Sequence, residues 1–263
     1  MAGALVHGLI EDGIDPVDIL VAEPDGARRE RLAHRHGVRT LENNTEAARE
    51  ADLVVLAVKP QVLEAVAREL APVLAERRPL VISIAAGVRH ATLRRWLGET
   101  VPVVRAMPNT PAMLQAGATG LYAPSDLEAR HKEAAEHVLR AVGLVVWVED
   151  EALMDAVTAV SGSGPAYFFL FMEAMEAAAQ TLGLPPETAN LLVRQTALGA
   201  TRMALESKLE LETLRLGVTS PGGTTERAVA VFESGDLRGL VERALTAARD
   251  RARELSQQME SKS

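Results

Sequence analysis

"DLVVLAVKP", residues 52–60, places Leu53, Val54, Val55, Leu56 and Val58 almost without interruption and closes on Lys59-Pro60. A short run with this little polar alternation fits a strand covered on both faces. Pro60 cannot serve a sheet ladder but suits the first turn of a helix. "PQVLEAVARELAPVLAE" (60–76) accordingly reads as a helix. One strand running straight into one helix is the repeating unit of a doubly wound α/β sheet.

The same grammar extends on both sides. "DILVAE" (18–23), "LVISIAA" (80–86), "VPVVRAM" (101–107), "GATGLYA" (117–123) and "GLVVWV" (143–148) read as further strands. "DGARRERLAHRHG" (25–37) and "SDLEARHKEAAEHVLRAVG" (125–143) read as helices between them. The alternation predicts a mostly parallel, doubly wound, Rossmann-like sheet with right-handed crossovers. The opening "MAGALVHGLIEDG" (1–13) already reads as a helix, with Leu5, Val6, Leu9 and Ile10 at helical spacing and Gly13 as its stop.

Past residue 150 the strand-like runs cease. Helices are expected from about Pro165 to Gly183, Glu187 to Glu206, Thr224 to Ser234 and Leu237 onward. "AYFFLFMEAMEAAA" (166–179) is apolar around much of its circumference and asks for burial on several sides. Two domains follow: residues 1–150 for a dinucleotide and 151–263 all-helical, the latter burying its apolar surface against a second subunit.

Composition narrows the partners. The 36 acidic against 28 basic residues give a net charge of −8, which disfavours nucleic acid or an anionic membrane. The absence of cysteine excludes disulfides and thiolate metal sites. No run is long enough to span a membrane and no signal peptide is recognised, so a cytoplasmic protein is expected. His7, His34, His36, His90, His131 and His137 show no metal-ligand spacing, and no metal is expected.

In such a sheet, ligands bind beyond the carboxyl ends of the strands. There stand Ala57, Val58, Lys59 and Pro60, then Ala85, Ala86 and Gly87 of "SIAAGV", then Asn109 of "RAMPNTPAM". Small residues let a flat ring approach the backbone, and an asparagine can hydrogen-bond a carboxamide; Lys59 can reach a phosphate or substrate, though on its tetrapeptide alone it reads rather as a solvated residue before a helix-starting proline. Glu23, closing the 18–23 strand, suits an adenosine ribose, whereas Arg28 and Arg29 suit a 2′-phosphate. NAD(H) and NADP(H) both stay open. "SGSGPAYFF" (161–169) reads as a weak anion site at a helix start or as a linker. "TSPGGTTERAV" (219–229) combines a Pro-Gly turn with a helix N-terminus, a cradle for a carboxylate or simply a capped turn. No strong acid, base or nucleophile stands out, which leaves the chemistry to a cofactor.

"AVKP", "SIAAGV", "RAMPNTP", "SGSGPAY" and "TSPGGTT", in this order and at these separations, resemble the pyrroline-5-carboxylate reductase family over nearly the whole chain. The resemblance implies hydride transfer from NAD(P)H to the C=N carbon of 1-pyrroline-5-carboxylate, giving L-proline. It also implies a homodimer, or a higher assembly, built through the helical half. By it, Asn44 and residues 57–60 line the cofactor, and residues 85–87 with Asn109 lie near its nicotinamide. Ser220, Gly222, Gly223, Thr224 and Thr225 hold the substrate carboxylate, with the Thr225 hydroxyl toward the ring nitrogen.

Family members open with a strand and a Gly-x-Gly-x-x-[Gly/Ala] turn. Ala2 matches the last small residue of that fingerprint, but the strand and leading glycines are not found before it. The expectation is that two neighbouring strands are left with open edges, through a late start or a truncation. The alternatives are a cofactor-deficient homologue acting only as a helical dimer, and a β-hydroxyacid or ketopantoate-type reductase. The latter calls for a catalytic lysine in the helical half, where Lys208 is the only internal one.

Overall fold

The computed structural model describes residues 1–261. They form two compact units: one contains residues 1–163 together with the C-terminal stretch from Ala247, and the other contains Gly164–Thr246. This division falls later than residue 150 and gives the end of the chain back to the first unit.

In the first unit, strands β1 (Leu20–Ala22), β2 (Arg39–Leu41), β3 (Leu53–Leu56), β4 (Leu80–Ser83), β5 (Val103–Met107), β6 (Gly117–Tyr122) and β7 (Gly143–Trp147) alternate with helices. The helices are α1 (Ala2–Glu11), α2 (Gly26–His36), α3 (Asn44–Glu50), α4 (Pro60–Arg77), α5 (His90–Leu97), α6 (Ala129–Arg140) and α7 (Leu153–Val157). The strands pair parallel with one exception: β6 runs antiparallel to β5, so the sheet is mixed. It also comes in two pieces, β1-β2 and β3-β4-β5-β6-β7, with no ladder joining β1 to β3.

Strand β4 shows why its sequence is unbroken apolar. Val81 packs with Leu63, Leu74, Leu93 and Trp96 on one side, while Leu80 and Ile82 pack with Leu5, Val104, Leu121 and Leu139 on the other. Both faces are covered, so neither can be polar. Helix α2 begins where the Asp25 side chain accepts the Arg28 N–H at 2.9 Å, and ends at Gly37 in the left-handed region (φ 71°).

A π-helical turn, Thr158–Gly162, continues α7, so Ser161 and Gly162, legible as part of a helix-start anion site or of a linker, are wound into helix. In the second unit α8 (Gly164–Thr181), α9 (Pro186–Glu206), α10 (Leu211–Gly217) and α11 (Thr224–Ser234) follow in sequence. Helix α12 (Leu237–Ser261) crosses the division at Thr246. In the first unit, Met259 of α12 packs on the α4–α5 side of the core. No helix among the described residues is long and apolar enough to cross a membrane.

Candidate functional site

The carboxyl ends of β1 and β3 open on a cleft of about 1040 Å³ that brings together Ala2, Glu23 and Ala57, with Arg28 and Arg31 of α2 on its wall. Met1 caps α1 without a side-chain hydrogen bond, and the first amides to turn inward are those of Ala4 and Leu5, both onto the Met1 carbonyl. The Ala2 and Gly3 amides therefore start the helix facing a cleft, as an anion site requires. The Glu23 carboxylate accepts the Asp25 N–H at 3.1 Å and lies 4.0 Å from the Arg28 guanidinium. An acid for a ribose and a base for a 2′-phosphate thus stand side by side. The phosphates and adenosine ribose of a dinucleotide fit this lining in charge.

Lys59 is the exposed residue capping α4, and Pro60 is its first residue. Val58 turns the other way and packs against the α4–α5 core. Asn43, not Asn44, caps α3, its side chain accepting the Thr45 and Glu46 amides at 2.8 and 3.1 Å; Asn44 is the first helical residue. Val58, Lys59, Pro60 and Asn44 adjoin the strand ends but do not line the cleft itself. After β4, Ala85 is buried, Ala86 is exposed, and Gly87 takes φ 75° with its α-carbon facing Leu255 of α12.

Asn109 follows β5 and is only 8% exposed. Its carbonyl oxygen accepts the Ala118 N–H at 2.9 Å, and its amide nitrogen donates to the Ser161 carbonyl at 3.0 Å. The side chain expected to meet a carboxamide is engaged inside the protein at both ends.

The remaining candidates belong to the second unit. Ser220 to Gly223 form a turn closed by Gly223 N–H donating to the Ser220 carbonyl at 3.0 Å. Gly222 sits at φ 71°, as the third residue of a Pro-Gly turn must. The Gly222 N–H is taken by Glu226, whose carboxylate accepts it at 2.8 Å. Donors facing outward for a ligand include the amides of Thr224 and Thr225 at the start of α11 and the exposed hydroxyls of Ser220, Thr224 and Thr225. Glu226, absent from the sequence candidates, could have been found as a glutamate at the third helical position after a turn.

A half-buried carboxylate also escapes sequence reading. Glu151 accepts from the Arg105 guanidinium at 2.5 Å and from the His90 backbone N–H at 2.6 Å. Burial holds the His90 imidazole below its ordinary range against the pull of Glu151. Burial pushes the nearby Asp155 carboxyl up, against Arg89, Arg105 and Arg253. These groups knit β5, α5 and α7 together. Among the described residues no trio of histidine or carboxylate side chains is placed to hold a metal ion.

A strand-end cleft with an open helix start, in a chain whose all-helical unit carries free amides at the start of α11, is the arrangement of an NAD(P)H-dependent oxidoreductase of two-unit type. Residues 1–87 match the family model described as NADP oxidoreductase, coenzyme F420-dependent, and residues 151–255 match that of pyrroline-5-carboxylate reductase dimerisation. A pyrroline-5-carboxylate reductase of Pseudomonas aeruginosa is 50% identical over 98% of this chain and 94% of its own length. The solved structure of one from Coxiella burnetii superposes with a TM-score of 0.94 at 50% identity, covering 97% of this chain and 94% of that one. A third, from Plasmodium falciparum with NADP bound, gives a TM-score of 0.83 at 28% identity over 96% of this chain and 93% of its own. The chain belongs to the pyrroline-5-carboxylate reductase family.

Proposed function

We infer that this chain reduces 1-pyrroline-5-carboxylate to L-proline with NAD(P)H, acting as a homo-oligomer assembled through its helical unit. The observation that carries the cofactor half is the cleft formed by the uncapped start of α1, Glu23 and Ala57. When bound, the nicotinamide supplies a hydride to the C=N carbon. The Ala2 and Gly3 amides are assigned to the phosphates, and Glu23 with Arg28 to the adenosine ribose. Asn44, residues 57–60 and residues 85–87 shape the rest of the cofactor's path. As a working division, residues 1–150 serve the dinucleotide and 151–263 serve dimerisation and substrate, in the cytoplasm.

On the substrate side, the Thr224 and Thr225 amides and the Ser220–Gly223 turn hold the carboxylate. The Thr225 hydroxyl orients the ring nitrogen. A protonated imine is already electrophilic, so the protein's main task is to fix donor and acceptor carbons about 3–3.5 Å apart. Thr225 then needs no shifted acidity, and the proton on nitrogen arrives with the substrate or from water.

Thr225→Ala tests the assignment by steady-state kinetics and by titration of NADPH and NADH. The expected result is a loss of about 10–100-fold in kcat/KM, the scale of a lost orienting contact, with nucleotide affinity unchanged. Full turnover with unchanged KM for the imine would remove Thr225 from the site. Failure of the unmodified chain to bind either nucleotide would favour the cofactor-deficient helical dimer.

A further inference from the structure

We propose that Asn109 is a positioning residue: it supplies the hydrogen-bond donor that Pro165 denies to the Ser161 carbonyl, and so locks the exit of β5 to the π turn that leads into α8. The reductase reading is used here only for one of the two readouts.

The π turn closes with the Ser163 N–H on the Thr158 carbonyl, and as the chain returns to i→i+4 bonding into α8 the carbonyl of residue 161 calls for the N–H of residue 165. Residue 165 is a proline and has none. A carbonyl that loses its intrahelical donor away from water needs another partner. The Asn109 amide provides it, 3.0 Å away and from 52 residues back in the chain. The other end of the same side chain is held by the Ala118 N–H at 2.9 Å, so the donor is aimed rather than free to turn. One buried amide therefore ties together the β5 exit, the start of β6 and the π turn.

The surroundings are built for that docking. The Thr158 and Ser161 hydroxyls donate back to the Met154 and Val157 carbonyls at 2.8 and 3.0 Å, so the wide turn serves its own polar side chains. Gly120 of β6 lies so close to Val157 that a methyl group there would fall 2.5 Å from the valine side chain. Met107, the last residue of β5, reaches Gly162 in the same way. Wide π turns recur where a helix is adapted to a functional site. Here "MPNTP" and "SGSGPAY", which look like separate ligand loops in the sequence, are two halves of one internal lock.

The test compares wild type, Asn109→Ala, Pro165→Ala and the double variant, using the full chain with 1-pyrroline-5-carboxylate. NADPH and its 3-acetylpyridine analogue, which lacks the carboxamide nitrogen, serve as alternative donors. Asn109→Ala is expected to lower kcat about tenfold, equally with both donors, because misplacement rather than a lost cofactor contact causes the fall. KM for NADPH should stay within about threefold of wild type, as uniform binding is kept. Pro165→Ala gives residue 165 an N–H, so in the double variant it is expected to restore most of the lost kcat. A loss seen with NADPH but not with the analogue would make Asn109 a direct carboxamide ligand and overturn the proposal. So would a double variant no better than Asn109→Ala, or an Asn109→Ala enzyme as active as wild type. Melting temperature reads the same rescue without turnover: the double variant should melt above Asn109→Ala. If Asn109→Ala does not fold, Asn109→Asp keeps the acceptor for Ala118 and loses the donor at neutral pH. It must then show the same rescue by Pro165→Ala, and no rescue would again overturn the proposal.

Discussion

Strand β4 and helix α8 are both apolar, yet they meet opposite fates. In β4, Val81 and Ile82 are fully enclosed by helices of their own unit. In α8, Phe168, Phe169 and Leu170 stand 70, 62 and 66% exposed, with Leu191 of α9 and Val231 of α11 exposed in the same unit. Exposed apolar surface on this scale marks an association site rather than a finished core. The faces of β4 are closed within the first unit, while the second unit is completed by another copy, consistent with its match to a dimerisation family.

Putting charge on α8 should break this contrast most visibly. Phe169→Asp with Leu170→Asp is expected to convert the assembly to monomer in sedimentation and to cost about 10 °C or more in melting, since folding and association are linked. An unchanged oligomer would mean that another face makes the contact. Next in size, Ile82→Ala should cost about 2–5 kcal/mol in denaturant unfolding by opening a cavity, with the oligomer intact. Dissociation on this change would erase the distinction between the two units.

The pH dependence sharpens the picture of the first unit. His90 is held below its ordinary value near 6.5, so as pH falls through that value the unfolded chain takes up the proton first and stability is lost. Asp155 is held above its ordinary value near 3.8, so the native state takes up its proton first and stability is gained on acidification. Replacing His90 by Gln should flatten the fall in melting temperature between neutral pH and about pH 5.5, the side below the unfolded value where linkage acts. An identical slope in wild type and variant would exonerate His90. Smallest of all, Glu226→Gln keeps an acceptor for the Gly222 amide but removes a charge beside the proposed carboxylate site. KM for the imine should drop about two- to threefold at low salt, a contribution typical of one exposed charge; a rise would show that the charge itself shapes the turn.

Much of the fold was readable because burial on both faces writes itself into composition, as in 52–58 and 80–86. Strand direction does not, and the reversal of β6 left no periodic trace. Strand β2 has three residues, "RTL", and α3 and α5 are short, below the length at which periodicity speaks. At the candidate site, Glu23 and Ala57 are legible as strand ends, which topology sends to one edge of the sheet, whereas Ala2 opens a helix and is legible only through its likeness to the glycine fingerprint. The engagement of Asn109 was not, since its partner Ser161 is remote in sequence and its logic depends on what Pro165 lacks.

Because the first unit includes the stretch from Ala247, its packing cannot be completed while that stretch is still inside the ribosome. Gly87 waits for Leu255, Arg89 for Glu260 at 3.1 Å, and the α4–α5 core for Met259. Domains usually fold in the order of their synthesis. Here the half made first is sealed last, after the helical half has emerged with the surface that recruits a second copy.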